Sequence, residues 1–162
     1  MVTTASINFF NPELHKPVSH AAKSWMSELD APGAQQMRYV KALMLSRPYF
    51  TRIPDQSVIV GDAGEGVAHI GATRDREGSY MMVYLPQGQP VTVDTVKLSG
   101  LSAVAWWYDP RTGVATRIQG SFQRSGTVTF IPPSKGPESD WVLVLDTEGN
   151  NFGAPGAEPG KR

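Results

Sequence analysis

The chain contains no cysteine, which excludes disulfides, thiolate metal sites and a cysteine nucleophile from its chemistry. It also lacks net charge, because 15 basic residues balance 15 acidic ones. Both signs are scattered along the chain, leaving no electrostatic footprint for nucleic acid or for an anionic membrane. Long hydrophobic runs are missing too. The opening MVTTASINFF has no basic stretch and an apolar run too short for a secretion signal, and nothing downstream approaches the length of a membrane span. The expectation from these features is a chain without an export signal of its own.

What is present is 162 residues of 40% hydrophobic composition, about one domain's worth of core. Helical spacing marks the first fifty positions. Val18, Ala21, Ala22, Trp25 and Leu29 recur every three or four residues, and a second stripe follows with Ala34, Met37, Val40, Leu43 and Met44. Asp30 is expected as the N-cap of this second helix, Pro32 fits its first turn, and Pro48 forces a stop.

Beyond RIPDQSVIV the period changes to short branched and aromatic runs punctuated by glycine and proline. Strands are predicted at 67–72, 80–85, 91–98, 103–108, 114–119, 127–131 and 141–145, with 57–60 as an eighth. Most connections are too short for parallel crossovers, so the pairing should be antiparallel and in part a meander. The expected fold is mainly β: an antiparallel β-sandwich of seven or eight strands with an N-terminal two-helix appendage. Residues 1–16 are expected as a flexible segment, 17–50 as a helical corner, 51–147 as the sandwich, and the Gly- and Pro-rich 148–162 as a disordered tail.

The densest chemistry lies in AWWYDPRTG, Ala105 to Gly113. Strand alternation puts Ala103, Ala105 and Trp107 on one face and Val104, Trp106 and Tyr108 on the other. One indole must then leave the core, either to be covered by the helices or the second sheet, or to serve as an aromatic platform for a sugar face. Trp106, Trp107, Tyr108 and Arg111 are the candidate ligand-binding residues. Asp109, Pro110 and Gly113 have a structural explanation as turn residues.

AWWYDPRTG, GTVTFIPPS and DWVLVLD together resemble the C-terminal β-sandwich known as the collagen-binding domain of a collagenase. That module follows a (β/α) barrel in a glycoside-hydrolase-like family similar to the apiosidases. The preceding LDAPGAQQMRYVKALMLSRPYFTRIPDQSVI resembles the last barrel helix and its connector in the same family. The resemblance covers roughly Leu29 to Thr147. It implies a non-catalytic accessory module that binds carbohydrate or a collagen-like polymer, in a secreted or periplasmic setting. The alternatives are a structural domain that docks on a catalytic barrel or dimerises, and a stand-alone hydrolase.

Residue by residue, little supports catalysis or metal binding. Asp109, Glu138, Asp140 and Asp146 are the carboxylates available for a hydrolytic pair, but turn and strand-entry roles account for Asp109 and Asp140. His15, His20 and His69 lack ligand spacing. DTEGNN from Asp146 fails the calcium-loop pattern, with Asn151 where glycine is needed and Ala157 where glutamate is needed. No cofactor, metal site or catalytic residue is expected. Met37, Val40, Leu43 and Met44 exceed a single core stripe and are the candidate partner-docking residues, for a catalytic barrel or for a second copy of the chain.

Overall fold

The computed structural model describes Met26 and residues 29–157. The helix expected around residues 17–29 lies outside the described residues except for Met26, which is helical, and Leu29. The next helix, α1, runs Pro32–Leu45. Proline at the first helical position supplies a preset φ and lacks only an amide that would have no partner there. The N-cap is Ala31, with no side-chain cap, which corrects the expectation for Asp30. The Asp30 carboxylate instead accepts from the Gln35 side-chain amide at 3.2 Å. Ser46 closes the helix, its amide donating to the Ala42 and Leu43 carbonyls and its hydroxyl to Leu43.

Eight strands follow: β1 Arg52–Pro54, β2 Gly71–Asp75, β3 Tyr80–Leu85, β4 Val91–Asp94, β5 Ser102–Asp109, β6 Val114–Gln123, β7 Thr127–Phe130 and β8 Trp141–Thr147. All pair antiparallel, in a six-stranded sheet of order β1-β2-β3-β8-β5-β6 and a two-stranded sheet β4-β7. The mainly β sandwich is thus as expected. The meander holds only for β1-β2-β3 and β5-β6, since β8 inserts between β3 and β5.

Several strand boundaries differ from the expected ones for a local reason. The segment 57–60 is a 3-10 turn, Gln56–Val58, capped by the Asp55 carboxylate accepting from the Ser57 amide, and the neighbouring strand is the earlier β1. Likewise Asp94 accepts from the Val96 amide and turns Thr95–Lys97 into a 3-10 helix, ending β4 four residues early. Aspartate side chains offer the backbone a partner outside the ladder, which hydrophobic periodicity does not register. Gln56 goes further: its side chain accepts from Ala72 N at 2.7 Å and donates to Ile70 O at 2.7 Å, replacing a strand at the start of β2.

The large sheet carries a buried cluster on each face. Met81, Val83, Leu85, Leu143, Leu145 and Trp107 meet Val91, Val93 and Phe130 of the small sheet. On the opposite face Tyr80, Met82, Tyr108, Val142 and Val144 meet Leu43 of α1. The C-terminal segment completes this second layer. Phe152 stands edge-on to Tyr80 at 6.2 Å, and the Arg47 guanidinium lies over its ring at 4.8 Å. Phe152, Ala154, Pro155 and Gly156 of the segment expected as a tail are at least partly buried, while residues 148–151, Gly153 and Ala157 are exposed.

Candidate functional site

Alternation along β5 runs as the sequence predicts, but neither face is left open. Trp107 is buried in the inter-sheet core, edge-on to Trp141 at 6.4 Å. Tyr108 faces α1, fully buried, and its hydroxyl donates to the Tyr39 carbonyl at 2.8 Å. Burial, followed by Tyr39 and Asp109, pushes this phenol up to about 12. Trp106 is half-buried beneath the Arg117 guanidinium. An aromatic strip formed by these three rings is not presented to solvent.

The turn that follows behaves as the residue types dictate. Asp109 accepts from the Arg111 amide at 2.8 Å, its carbonyl accepts from Gly113 N at 2.8 Å, and Gly113 adopts φ 75°. A Cβ at Gly113 would stand 2.5 Å from the Tyr39 ring, so glycine is also what lets α1 close onto the turn.

An open groove of about 770 Å³ lies between one flank of α1 and the outer face of β2, β3 and β8. It exists because β2 offers only Gly71 and Thr73 on that face while α1 packs its Tyr39 and Leu43 over the neighbouring strands. All four docking candidates, Met37, Val40, Leu43 and Met44, line it, and so does Arg111. Leu43 is spent on the core; Met37 remains 58% exposed. The structure thus brings the docking set and Arg111 to the groove, which Trp106, Trp107 and Tyr108 do not line, although Trp106 and Tyr108 pack in the same cluster as Leu43 and Met44.

One end of the groove is polar. Arg111 is bound bidentately by Asp109, Nε to Oδ1 at 2.7 Å and Nη2 to Oδ2 at 3.0 Å. Its guanidinium lies over Trp141 at 5.2 Å, and its Nη1 donates to the Glu138 carbonyl. Burial alone would raise the Asp109 carboxyl, but the hydrogen bonds and charge of Arg111 outweigh it and hold that group below the usual range. Asp140 is less well matched, 3.8 Å from Arg111 Nε and 3.4 Å from the Tyr84 hydroxyl. Burial, then Asp140, raises the Tyr84 phenol. Glu138 sits beside them with φ 65°, a left-handed conformation that a non-glycine residue adopts only when its surroundings impose it.

Tyr84, Gln36 and Thr73 were not singled out by sequence reasoning. The signal for Tyr84 was its place in YMMVYL, where alternation sets Tyr80, Met82 and Tyr84 on one face. Nothing local marks Gln36 or Thr73. Among the described residues no group of three or more His, Cys, Asp or Glu could hold a metal ion. His15 and His20 lie outside the described residues.

Residues 53–146 match the model of a protein family described as "Putative collagen-binding domain of a collagenase". The chain belongs to that family. The domain is also similar to a solved structure described as a glycoside hydrolase, with 38% identity and a TM-score of 0.78 over 90% of this chain and 32% of that one. A glycoside hydrolase family 5 protein from Bacteroides vulgatus is 37% identical, with a TM-score of 0.74 over 82% of this chain and 28% of its own. The domain therefore spans about a third of these hydrolase chains. Comparison with curated proteins finds no match. Among the described residues there is no (β/α) barrel.

Proposed function

We propose that this is a non-catalytic accessory domain of a glycoside-hydrolase-type protein. It seats on a catalytic domain through the corner that leaves α1 and leaves the groove open to a polymeric substrate. The observation that carries the seating is the apolar corner of Leu45, Tyr49 and Phe50, the last 96% exposed. This corner is braced from beneath. The Tyr80 hydroxyl donates to the Pro48 carbonyl at 2.6 Å, and Arg52 donates to Tyr80 at 2.9 Å and to the Met44 carbonyl at 3.1 Å. Aromatic side chains fixed in solvent by a rigid frame have the composition and low ordering cost of interface anchors.

The similarity to chains about three times longer supports the same reading, since the match over 90% of this chain extends beyond residues 53–146. Of the four candidate carboxylates, Asp109 and Asp146 are each committed to an arginine. Met37, Val40 and Met44 extend the apolar surface from the corner along the groove wall.

Grafting this chain in place of the corresponding third of the 38%-identical glycoside hydrolase tests the seating. The graft should unfold in one coupled calorimetric transition, and Tyr49→Asp with Phe50→Asp should split it into two. A transition that stays single and unshifted in the double variant would remove the corner from the interface.

A further inference from the structure

The polar end of the groove is built for hydrogen bonding and is not saturated. The side chains of Gln36 and Thr73 and the carboxylate of Glu138 line the groove without a hydrogen-bond partner among the described residues. Asp140 has only the long contacts to Tyr84 and Arg111. Arg111 brings no net attraction for anions, because Asp109 neutralises it at hydrogen-bond distance.

Tyr84 supplies the apolar surface at this end. Its strand is otherwise buried, yet Tyr84 is 43% exposed. Its cross-strand neighbours are Val142 on β8 and Gly71 on β2, and on the Gly71 side there is no side chain to cover the ring. Nothing steric demands glycine there: a Cβ at Gly71 would meet nothing within 4 Å. What the missing side chain does is leave one aromatic face bare beside amide, hydroxyl and carboxylate groups.

We infer that this end of the groove, bounded by Gln36, Thr73, Tyr84, Glu138 and Asp140, binds a neutral, hydroxyl-rich ligand, a segment of an uncharged polysaccharide. The chemistry selects it over the other polymers. Asp140 and Glu138 accept hydrogen bonds and repel anions, which disfavours acidic saccharides. A Gly-Pro-Pro chain offers one N–H in three residues, since proline has none, and so presents fewer donors to two carboxylates than a saccharide does. Sugar hydroxyls donate and accept, and a pyranose face stacks on a phenol ring. A groove of about 770 Å³ lies within the range of small-ligand sites.

The inference deepens the accessory-domain reading by naming its substrate class, but it needs no catalytic partner and is tested on this chain alone. Uncharged hexasaccharides of glucose, xylose, mannose and arabinose are titrated into the labelled protein and followed by amide NMR, with hexagalacturonate and a Gly-Pro-Pro repeat peptide as rivals. At least one neutral hexasaccharide should bind and shift the resonances of Gln36, Gly71, Thr73, Tyr84 and Asp140. Asp140→Ala should weaken it about tenfold or more, as for loss of a charged hydrogen bond. Gly71→Val, which covers the ring in space that is empty, should do the same with no loss of thermal stability. Phe50→Ala at the far corner should bind as the parent does. Binding by none of the neutral saccharides, binding unaffected by Asp140→Ala and Gly71→Val, or preference for hexagalacturonate or the peptide would overturn it. Such a failure leaves the calorimetric coupling of the corner untouched, and a failed coupling leaves the titration untouched.

Discussion

Arg47 and Asp146 form a doubly hydrogen-bonded ion pair, Nε to Oδ1 at 2.7 Å and Nη2 to Oδ2 at 2.6 Å, with both side chains almost fully buried. The pair ties the exit of α1 to β8, and Arg47 Nη2 also donates to the Gly153 carbonyl at 3.0 Å, which draws the C-terminal segment into the same knot. Removing either partner strands a buried charge. Arg47→Ala or Asp146→Ala should each lose about 3 to 5 kcal/mol in urea unfolding. The apolar double variant Arg47→Met with Asp146→Leu should recover much of that loss. A loss below about 1 kcal/mol in both single variants would show that the pair is not the tie between helix and sandwich.

Acid sensitivity follows from Asp55. Hydrogen bonds from Ser57 and then Arg74 hold its carboxyl down from 3.8 to about 2. A depressed folded-state value contributes stability that is present above the unfolded value and is lost as pH falls through the folded one. With solvent screening the contribution is about 1 to 2 kcal/mol at neutral pH. The stability gap between the parent and Asp55→Asn should therefore be full at pH 6 to 7, shrink below about pH 4 and close near pH 2. A gap that is constant with pH would contradict the ion pair with Arg74.

Gly113→Ala should be destabilising for two reasons that act together: φ 75° disfavours any side chain, and the new methyl would stand 2.5 Å from the Tyr39 ring. A loss of about 2 kcal/mol or more in Tm-derived stability is expected. Tyr39→Ala should relieve the steric part, so that the two substitutions together cost less than their sum. Strict additivity would remove the contact between α1 and the turn from the account.

Phe152→Ala should cost about 2 kcal/mol, less than a fully enclosed phenylalanine because the ring is only partly buried. Hydrogen exchange should show the same variant loosening the amides at the exit of α1. No change in exchange there would mean that the C-terminal segment packs without supporting the helix.

The faces of β5 were legible in the sequence because alternation is a local property, and Trp107 and Tyr108 fall on the sides it assigns. What lay over those faces was not legible. The cover on Tyr108 comes from Tyr39, some seventy positions earlier, and from Gly156, far later, and contacts of that separation leave no periodic trace. The packing of Phe152 was not legible either: one ring and one arginine hold part of a segment whose composition reads as loop. The groove was hidden likewise. Its walls come from α1, β2, β3 and the segment before β8, and its polar end depends on a glycine opposite a tyrosine in a register that only the folded sheet reveals. The docking candidates on α1 were legible as residues in excess of one stripe, whereas Tyr49 and Phe50 were not, since a corner has no period to exceed.

A domain that binds and positions rather than catalyses releases no product from its ligands. The purified chain is incubated with aryl glycosides and with the polysaccharides of its neutral hexasaccharide ligands, and product release is followed to a sensitivity well below one turnover per hour. No release above buffer is expected, for the parent and for Asp109→Asn, Glu138→Gln and Asp140→Asn alike. Turnover by the parent that disappears in one of these variants would contradict it and make the groove an active site.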